Sequence, residues 1–171
     1  GSKSWVDNGV ARPTSVTIVL QSDAAQQGVF ANVDGKTVEI NEAGQWQFTF
    51  KNLPRYAYTE TDGIITGIRE IAYQVTDSVP NYTTSGGTAD DGYVLTNTFE
   101  QDYLDIPVTK AWIDGNNTDG NRPEEVAIAL FRNGVKVQDA TITAANDWKY
   151  TFEDLPKYSD NQKTEYEYKV Y

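Results

Sequence analysis

The sequence predicts an all-β protein that contains two β-sandwiches in series. Three observations lead to this prediction. Apolar and polar residues alternate over short segments, turn residues recur at hairpin spacing, and one set of segments occurs twice in the same order. Segments with a period of two that are rich in Val, Ile, Thr, Tyr and Phe are typical of half-buried strands. No segment of useful length has a helical period, so helices are not expected to contribute to the core.

The two copies align on their tryptophans. Four segments of copy one match four segments of copy two: residues 3–5 with 110–112, 12–20 with 122–130, 46–56 with 148–158, and 71–75 with 166–170. Four matches in one order indicate tandem repeats of a single unit. We therefore expect one domain at residues 1–101 and a second at residues 102–171, with a junction too short to act as a flexible linker.

The elements of each copy follow from these segments. Each matched segment is predicted to form a strand, and residues 93–99 are predicted to form the last strand of copy one. Asp34-Gly35, Asp62-Gly63 and Asn133-Gly134 are typical of two-residue hairpin turns. The run of small and polar residues at 83–89 predicts a flexible loop.

Composition excludes several classes of function. The chain has 14 Lys and Arg against 25 Asp and Glu, a formal charge of −11, and this disfavours nucleic acid and anionic membranes as partners. It has no Cys and no His, which removes the usual nucleophile–histidine pairs and the commonest zinc ligands. No apolar run approaches the length of a membrane span. We expect no cofactor, no metal site and no turnover of an external substrate.

Four polar residues have the same strand parity as their apolar neighbours, and are therefore predicted to face a core: Lys3, Asp77, Asn97 and Lys110. A buried lysine tends to lose its proton and a buried carboxyl group to keep one. A neutral amine is a nucleophile, an asparagine amide is an acyl donor, and a carboxylic acid can polarise the amide and move the proton. The competing interpretation is that Lys3 reaches solvent, Asn97 satisfies a backbone group and Asp77 caps a turn.

The motifs resemble one known family. The run Val-Thr-Lys-Ala-Trp-Ile-Asp at 108–114, the run ending in Leu-Pro-Lys-Tyr at 155–158, and the segments at 73–82 and 95–98 resemble the collagen-adhesin B-type (Cna B) domains of Gram-positive surface proteins and pilins. The resemblance covers nearly the whole chain and implies immunoglobulin-like sandwiches. It also implies an intramolecular isopeptide bond between Lys3 and Asn97, assisted by Asp77. The family's acid is more often Glu, so Glu70 is the alternative, although its parity faces outward.

The resemblance implies a function as well. We expect a spacer segment of a cell-wall-anchored extracellular adhesin or pilin, flanked by neighbouring domains, with the signal peptide and anchor outside this segment. The alternative is an adhesin module whose loops bind a host protein or glycan. Copy two stops before its expected acid and asparagine strands, so we expect it to lack its last strands. Lys110 is then an unpaired cross-link candidate, and a complementing strand is a possible partner.

Overall fold

A computed structural model describes residues 1–9 and 12–171 of the chain. These residues form two compact units, Gly1–Glu100 (unit 1) and Gln101–Tyr171 (unit 2). The described residues of unit 1 contain eight strands: β1 (Ser2–Val6), β2 (Ser15–Gln26), β3 (Val29–Asn41), β4 (Tyr56–Thr61), β5 (Ile64–Glu70), β6 (Tyr73–Thr76), β7 (Tyr82–Gly86) and β8 (Val94–Phe99). Unit 2 contains five: β9 (Tyr103–Thr109), β10 (Glu125–Arg132), β11 (Val135–Thr143), β12 (Lys149–Pro156) and β13 (Tyr168–Val170). The prediction of an all-β fold is confirmed.

Unit 1 is built from two three-stranded sheets and a separate hairpin. One sheet has the order β3-β2-β6, the other has the order β1-β8-β7, and β4 pairs with β5. Strand β1 runs parallel to β8, so the beginning and the end of the unit are neighbours in one sheet. Alternation along β2 buries Val16, Ile18 and Leu20, which form the centre of the core.

Unit 2 repeats part of this plan. Its sheets have the orders β11-β10-β13 and β12-β9, and its core centres on Leu130, Ile142 and Phe152, none of which has exposed surface. Strand β13 pairs with β10 as β6 pairs with β2. The Tyr73 hydroxyl donates to Pro54 O at 2.5 Å, and the Tyr168 hydroxyl donates to Pro156 O at 2.7 Å. Matching tyrosines therefore donate a hydrogen bond to matching proline carbonyl groups in the two units.

The turns agree with two of the three hairpin predictions. Asp62-Gly63 joins β4 to β5 and Asn133-Gly134 joins β10 to β11, each with two consecutive positive φ angles, as a tight hairpin requires. Asp34-Gly35 does not form a hairpin turn. It lies inside β3, where the pairing with β2 shifts register and the extra residues bulge out, and β2 and β3 are joined at residues 27–28 instead.

Two further expectations were wrong. Residues 83–86 of the predicted flexible loop belong to strand β7, because β8 supplies a hydrogen-bonding partner along their whole length. Residues 48–55 of unit 1 do not form a strand, although the matching segment of unit 2 is strand β12. In unit 2 this segment pairs with β9. In the described part of unit 1 only Phe48 of this segment is paired, through two backbone hydrogen bonds with Gly1, and no strand lies beside residues 49–55. A strand requires a partner.

Candidate cross-link site

Three elements of unit 1 meet at the candidate site. Lys3 lies on β1, Asn97 lies on β8, and Asp77 directly follows β6. In the parallel pairing of β1 with β8, Lys3 lies opposite Leu95 and Trp5 lies opposite Asn97. Lys3 and Asn97 are therefore one side-chain repeat apart on the same face, a separation that the long lysine side chain spans. The end of β6 brings the carboxylate from the other sheet.

The three side chains form a closed set of contacts. Lys3 Nζ donates hydrogen bonds to Asp77 Oδ2 and to Asn97 Oδ1. Asn97 Nδ2 donates to Asp77 Oδ1 at 3.2 Å. The side chains of Lys3 and Asp77 have no exposed surface, and Asn97 is 0% exposed. An amine, an amide and a carboxyl group are thus held together without water access, as the strand parity of these residues predicted.

Burial also changes the acidity of the amine. It lowers the pKa of Lys3 below its ordinary value of 10.5, because the charged ammonium is removed from water. The hydrogen bond and the charge of Asp77 act in the opposite direction and offset part of this shift. The net result is that the neutral, nucleophilic form of Lys3 is populated at a lower pH than that of a lysine in water.

One member of the site was not foreseen from the sequence. Thr84 on β7 lies opposite Asn97 in the pairing with β8, and its hydroxyl donates to Asp77 Oδ1 at 2.9 Å. The sequence placed Thr84 in a flexible loop, so its side chain had no predicted direction. If residues 82–86 had been assigned as a strand, the alternation of side chains would have placed Thr84 on the same face as Tyr82 and would have predicted this contact.

Glu70, the alternative acid, lies elsewhere. It is at the end of β5 and is exposed, and its carboxylate accepts a 2.9 Å hydrogen bond from Arg55. The side chain of Glu70 is 62% exposed in this ion pair. It makes no contact with Lys3 or Asn97 among the described residues, whereas Asp77 contacts both.

The expectation that Lys110 is buried was wrong. Its backbone matches that of Lys3, since Lys110 N donates to Trp148 O at 2.8 Å as Lys3 N donates to Trp46 O at 2.8 Å. Its side chain is nevertheless exposed, with Nζ 4.9 Å from the centre of the Trp112 ring. Lys3 is covered because β8 lies alongside β1. Among the described residues of unit 2, no strand corresponds to β8 and covers Lys110, so parity alone does not bury it.

Both units also contain a packed tryptophan, arginine and aspartate that the sequence analysis did not identify. In unit 2, Arg122 donates to Asp114 at 2.6 and 2.9 Å and lies 5.0 Å from the centre of the Trp112 ring. The hydrogen bonds from Arg122 hold the pKa of Asp114 below its ordinary value, although burial opposes the shift. In unit 1, Arg12 and Asp7 pair in the same way. Asp114 and Asp7 are thus each paired with an arginine.

Comparison with known proteins identifies the family. The model of the Cna protein B-type domain family matches residues 1–98 and 106–171. Because these matches cover most of the chain, the chain belongs to the Cna B-type domain family. Domains of this kind are modules of surface adhesins.

Individual relatives agree with this assignment. The collagen adhesin of Staphylococcus aureus is 33% identical over 171 residues, which include 96% of this chain and 13% of the adhesin. The crystal structure of two B repeat units, B1B2, of the collagen binding protein of the same organism matches with a TM-score of 0.53 and 32% identity, over 99% of this chain and 42% of that chain. A single B1 unit matches with a TM-score of 0.43 and 28% identity, over 100% of this chain and 82% of that unit.

The match to the two B repeat units, B1B2, confirms immunoglobulin-like β-sandwiches of the B repeat type. The chain spans 13% of the length of the collagen adhesin, so that protein's binding activity belongs to a much longer polypeptide. In the part of the chain that the structure describes, no helix is long and apolar enough to cross a membrane.

Proposed function

We propose that this chain is a spacer segment of an extracellular, cell-wall-anchored adhesin or pilin, and that unit 1 locks itself with an isopeptide bond between Lys3 and Asn97. The observation that carries the proposal is the buried triangle of Lys3, Asp77 and Asn97, in which Lys3 Nζ contacts the amide oxygen of Asn97. Membership of the Cna B-type family supports the spacer role. Its partners are then the neighbouring domains of the parent surface protein.

The chemistry needs only these three side chains. Asp77 takes a proton from Lys3, which leaves a neutral amine beside the Asn97 amide. The Nζ lone pair attacks Asn97 Cγ, and the new N–C bond forms as the carbonyl oxygen gains electron density. Asp77 Oδ1 lies 3.2 Å from Asn97 Nδ2, and Asp77 transfers its proton to this departing nitrogen. The C–Nδ2 bond breaks and ammonia leaves. Lys3 Nζ starts as an ammonium group and gives up two protons. One joins the NH₂ group lost by Asn97 to form ammonia, and the other is left on Asp77, so the products are one amide and one ammonia.

The reaction occurs once in each molecule and is not enzymatic turnover. The product joins residues that are 94 positions apart in the sequence. By the loop-entropy model, a cross-link that closes a loop of about 100 residues stabilises the folded state by about 4–5 kcal/mol. In a chain without cysteine, this bond replaces a disulfide. Because β1 and β8 are adjacent, a pulling force that enters at β1 passes directly to β8.

Intact mass spectrometry tests the proposal. The unaltered chain is expected to be lighter than its sequence by one ammonia, and Lys3→Ala and Asn97→Ala are expected to restore the full mass. Lys110→Ala is the matched control, since it removes the corresponding lysine of unit 2 and should leave the deficit in place. A full sequence mass for the unaltered, folded chain would contradict the cross-link.

A specific observation favours a second function. The β4–β5 hairpin presents large apolar side chains to solvent, with Tyr58 and Ile68 directly opposite each other and 63% and 68% exposed. Tyr56 and Ile64 on the same hairpin are 50% and 68% exposed. Tyr158 and Tyr168 of unit 2 match Tyr56 and Tyr73 of unit 1. The described residues between Tyr158 and Tyr168 contain no such hairpin. Exposed apolar side chains grouped on one hairpin are typical of binding surfaces, which supports an adhesin module that contacts a host protein or glycan.

Binding assays distinguish the two functions. The chain and the variant Tyr58→Thr/Ile68→Thr are applied to immobilised extracellular-matrix proteins and glycans. Threonine keeps strand propensity, so the hairpin is expected to stay folded. An adhesin module would bind at least one surface, and the variant would bind it less. A spacer would bind none, and the mass deficit would be the same in both proteins.

A further inference from the structure

The backbone of unit 1 crosses from one sheet to the other at Gly87. Strand β7, which ends at Gly86, pairs with β8, and Gly87 N continues this ladder by donating to Val94 O at 2.9 Å. Gly87 O accepts a 2.8 Å hydrogen bond from Val75 N on β6, which belongs to the other sheet. Gly87 is therefore bonded to β8 through its N–H group and to β6 through its carbonyl oxygen.

This crossing lies one side-chain repeat from the cross-link site. Val75 precedes Asp77 by two residues, and Leu95 precedes Asn97 by two residues. Residues two apart in an extended backbone share a face, so the places of Val75 and Leu95 determine those of the acid and the amide. Val75 and Leu95 are core residues with 4% and 1% exposed surface. The separation of β6 from β8 at the crossing therefore sets the distance from the Asp77 carboxyl group to the Asn97 amide.

The crossing has no room for a side chain. Gly87 is buried and has a φ of +81°, a conformation that favours glycine. A Cβ atom at this residue would lie 2.5 Å from Val75 O and 2.9 Å from Leu95 Cδ1. Because ordinary contact begins at 3.4 Å, any side chain at Gly87 would push β6 away from β8 by about 1 Å.

We propose that Gly87 is a positioning residue for the cross-link, and that its bonds to both sheets set the spacing at which Asp77 reaches Asn97. The 3.2 Å hydrogen bond from Asn97 Nδ2 to Asp77 Oδ1 is already at the upper end of the usual range, so a further separation of about 1 Å breaks it. Gly87 acts on the reaction through β6 and β8. This inference rests on the proposed Lys3–Asn97 bond and adds the part of the fold that places its acid.

The rate of cross-linking in newly made chains tests the inference. The chain is produced by cell-free synthesis, samples are unfolded in denaturant at successive times, and intact mass gives the fraction that has lost one ammonia. Gly87→Ala is compared with Gly28→Ala as the matched control. Gly28 has nearly the same φ, +78°, but a Cβ atom there would meet no described atom within 4 Å. Circular dichroism verifies that both proteins fold.

Gly87→Ala is expected to cross-link at least about tenfold more slowly than Gly28→Ala, because misplacing a reacting group by about 1 Å can cost about a hundredfold in rate. Equal rates for the two alanine variants would overturn the proposal. A Gly87→Ala chain that stays unfolded even in sucrose, which favours compact states, would also overturn it, because Gly87 would then be required for the fold itself. A full mass at all times in the unaltered chain would instead refute the Lys3–Asn97 bond, and this inference with it.

The substitution Asp77→Glu separates positioning from a general loss of stability. In the unaltered chain it is expected to slow cross-linking, because the side chain of Asp77 has no exposed surface and an added methylene group must displace its partners. In Gly87→Ala it is expected to speed cross-linking severalfold, because the longer side chain spans the widened gap. A general loss of stability would not be reversed in this way. If Asp77→Glu slows both proteins by the same factor, Gly87 does not position the acid.

Discussion

The Thr84 hydroxyl donates a 2.9 Å hydrogen bond to Asp77 Oδ1, the same oxygen that accepts from Asn97 Nδ2 at 3.2 Å. Two donors thus hold one carboxylate oxygen, and the other oxygen, Oδ2, is directed at Lys3. Among the hydrogen bonds of the described residues, none joins Thr84 to the amine or the amide that react. We therefore assign it as a positioning residue that orients the acid of the cross-link site.

Thr84→Val is expected to slow cross-linking without preventing folding. Thr84 is exposed and lies on a strand, where valine is well tolerated. Loss of a hydrogen bond to a charged group costs about 1.5–3 kcal/mol, so the rate is expected to fall at least about tenfold. The measurement is the time course of ammonia loss by mass after refolding. Thr84→Ser keeps the hydroxyl and is expected to restore most of the rate; equal rates for all three proteins would exclude a positioning role.

Asp77→Ala is expected to fold but to retain its full mass, because neither the amine nor the amide can then exchange protons with a carboxyl group in the closed site. Glu70→Ala is the matched control. It removes an exposed acid whose ion pair with Arg55 contributes little to stability, and it is expected to cross-link at the normal rate. Circular dichroism verifies folding in both. Normal cross-linking in Asp77→Ala together with failure in Glu70→Ala would reverse the assignment of the acid.

The stability of an uncross-linked unit 1 is expected to rise with pH in alkaline solution. In Asn97→Ala, Lys3 remains an amine whose pKa is lowered by burial below 10.5, while the unfolded chain retains the ordinary value. Between the lowered pKa and 10.5 the unfolded state binds more protons, so increasing pH favours the folded state. Other groups also titrate there, so the reference is Lys3→Met/Asn97→Ala.

The measured quantity is the difference in free energy of unfolding between these two proteins, obtained from denaturant titrations at several pH values. This difference is expected to shift in favour of the Lys3-containing protein as pH rises and to level off above 10.5. A difference that does not change with pH would mean that Lys3 titrates alike in the folded and unfolded chains.

Amine labelling is expected to separate the two matching lysines. Lys110 is exposed and should react with an acetylating reagent in the native protein. Lys3 should remain unlabelled even after the chain is unfolded in denaturant, since an amide nitrogen is not nucleophilic. In Asn97→Ala, Lys3 should stay protected in the folded state and become labelled on unfolding. Peptide mapping gives the extent at each site, and labelling of Lys3 in unfolded, unaltered chain would contradict the amide.

Much of the fold was accessible from local patterns. The period of two in β2 predicted the burial of Val16, Ile18 and Leu20, and the repeat predicted that Tyr73 and Tyr168 occupy matching places. The inward parity of Lys3, Asp77 and Asn97 followed from the same alternation. These properties depend only on which face of its own strand a side chain occupies. The alternation of residues along the strand determines that face.

The tertiary structure decided what lies beside each strand. Residues 48–54 and 150–156 have nearly the same sequence pattern, but only the second segment lies in a strand, because β9 pairs with it. Lys3 and Lys110 have the same parity and the same backbone bond, but only Lys3 is buried, because β8 lies against it. Thr84 gained its role from its pairing with Asn97. Strand formation and burial both require a neighbour that is distant in sequence, so periodicity indicates the direction of a side chain but not what covers it.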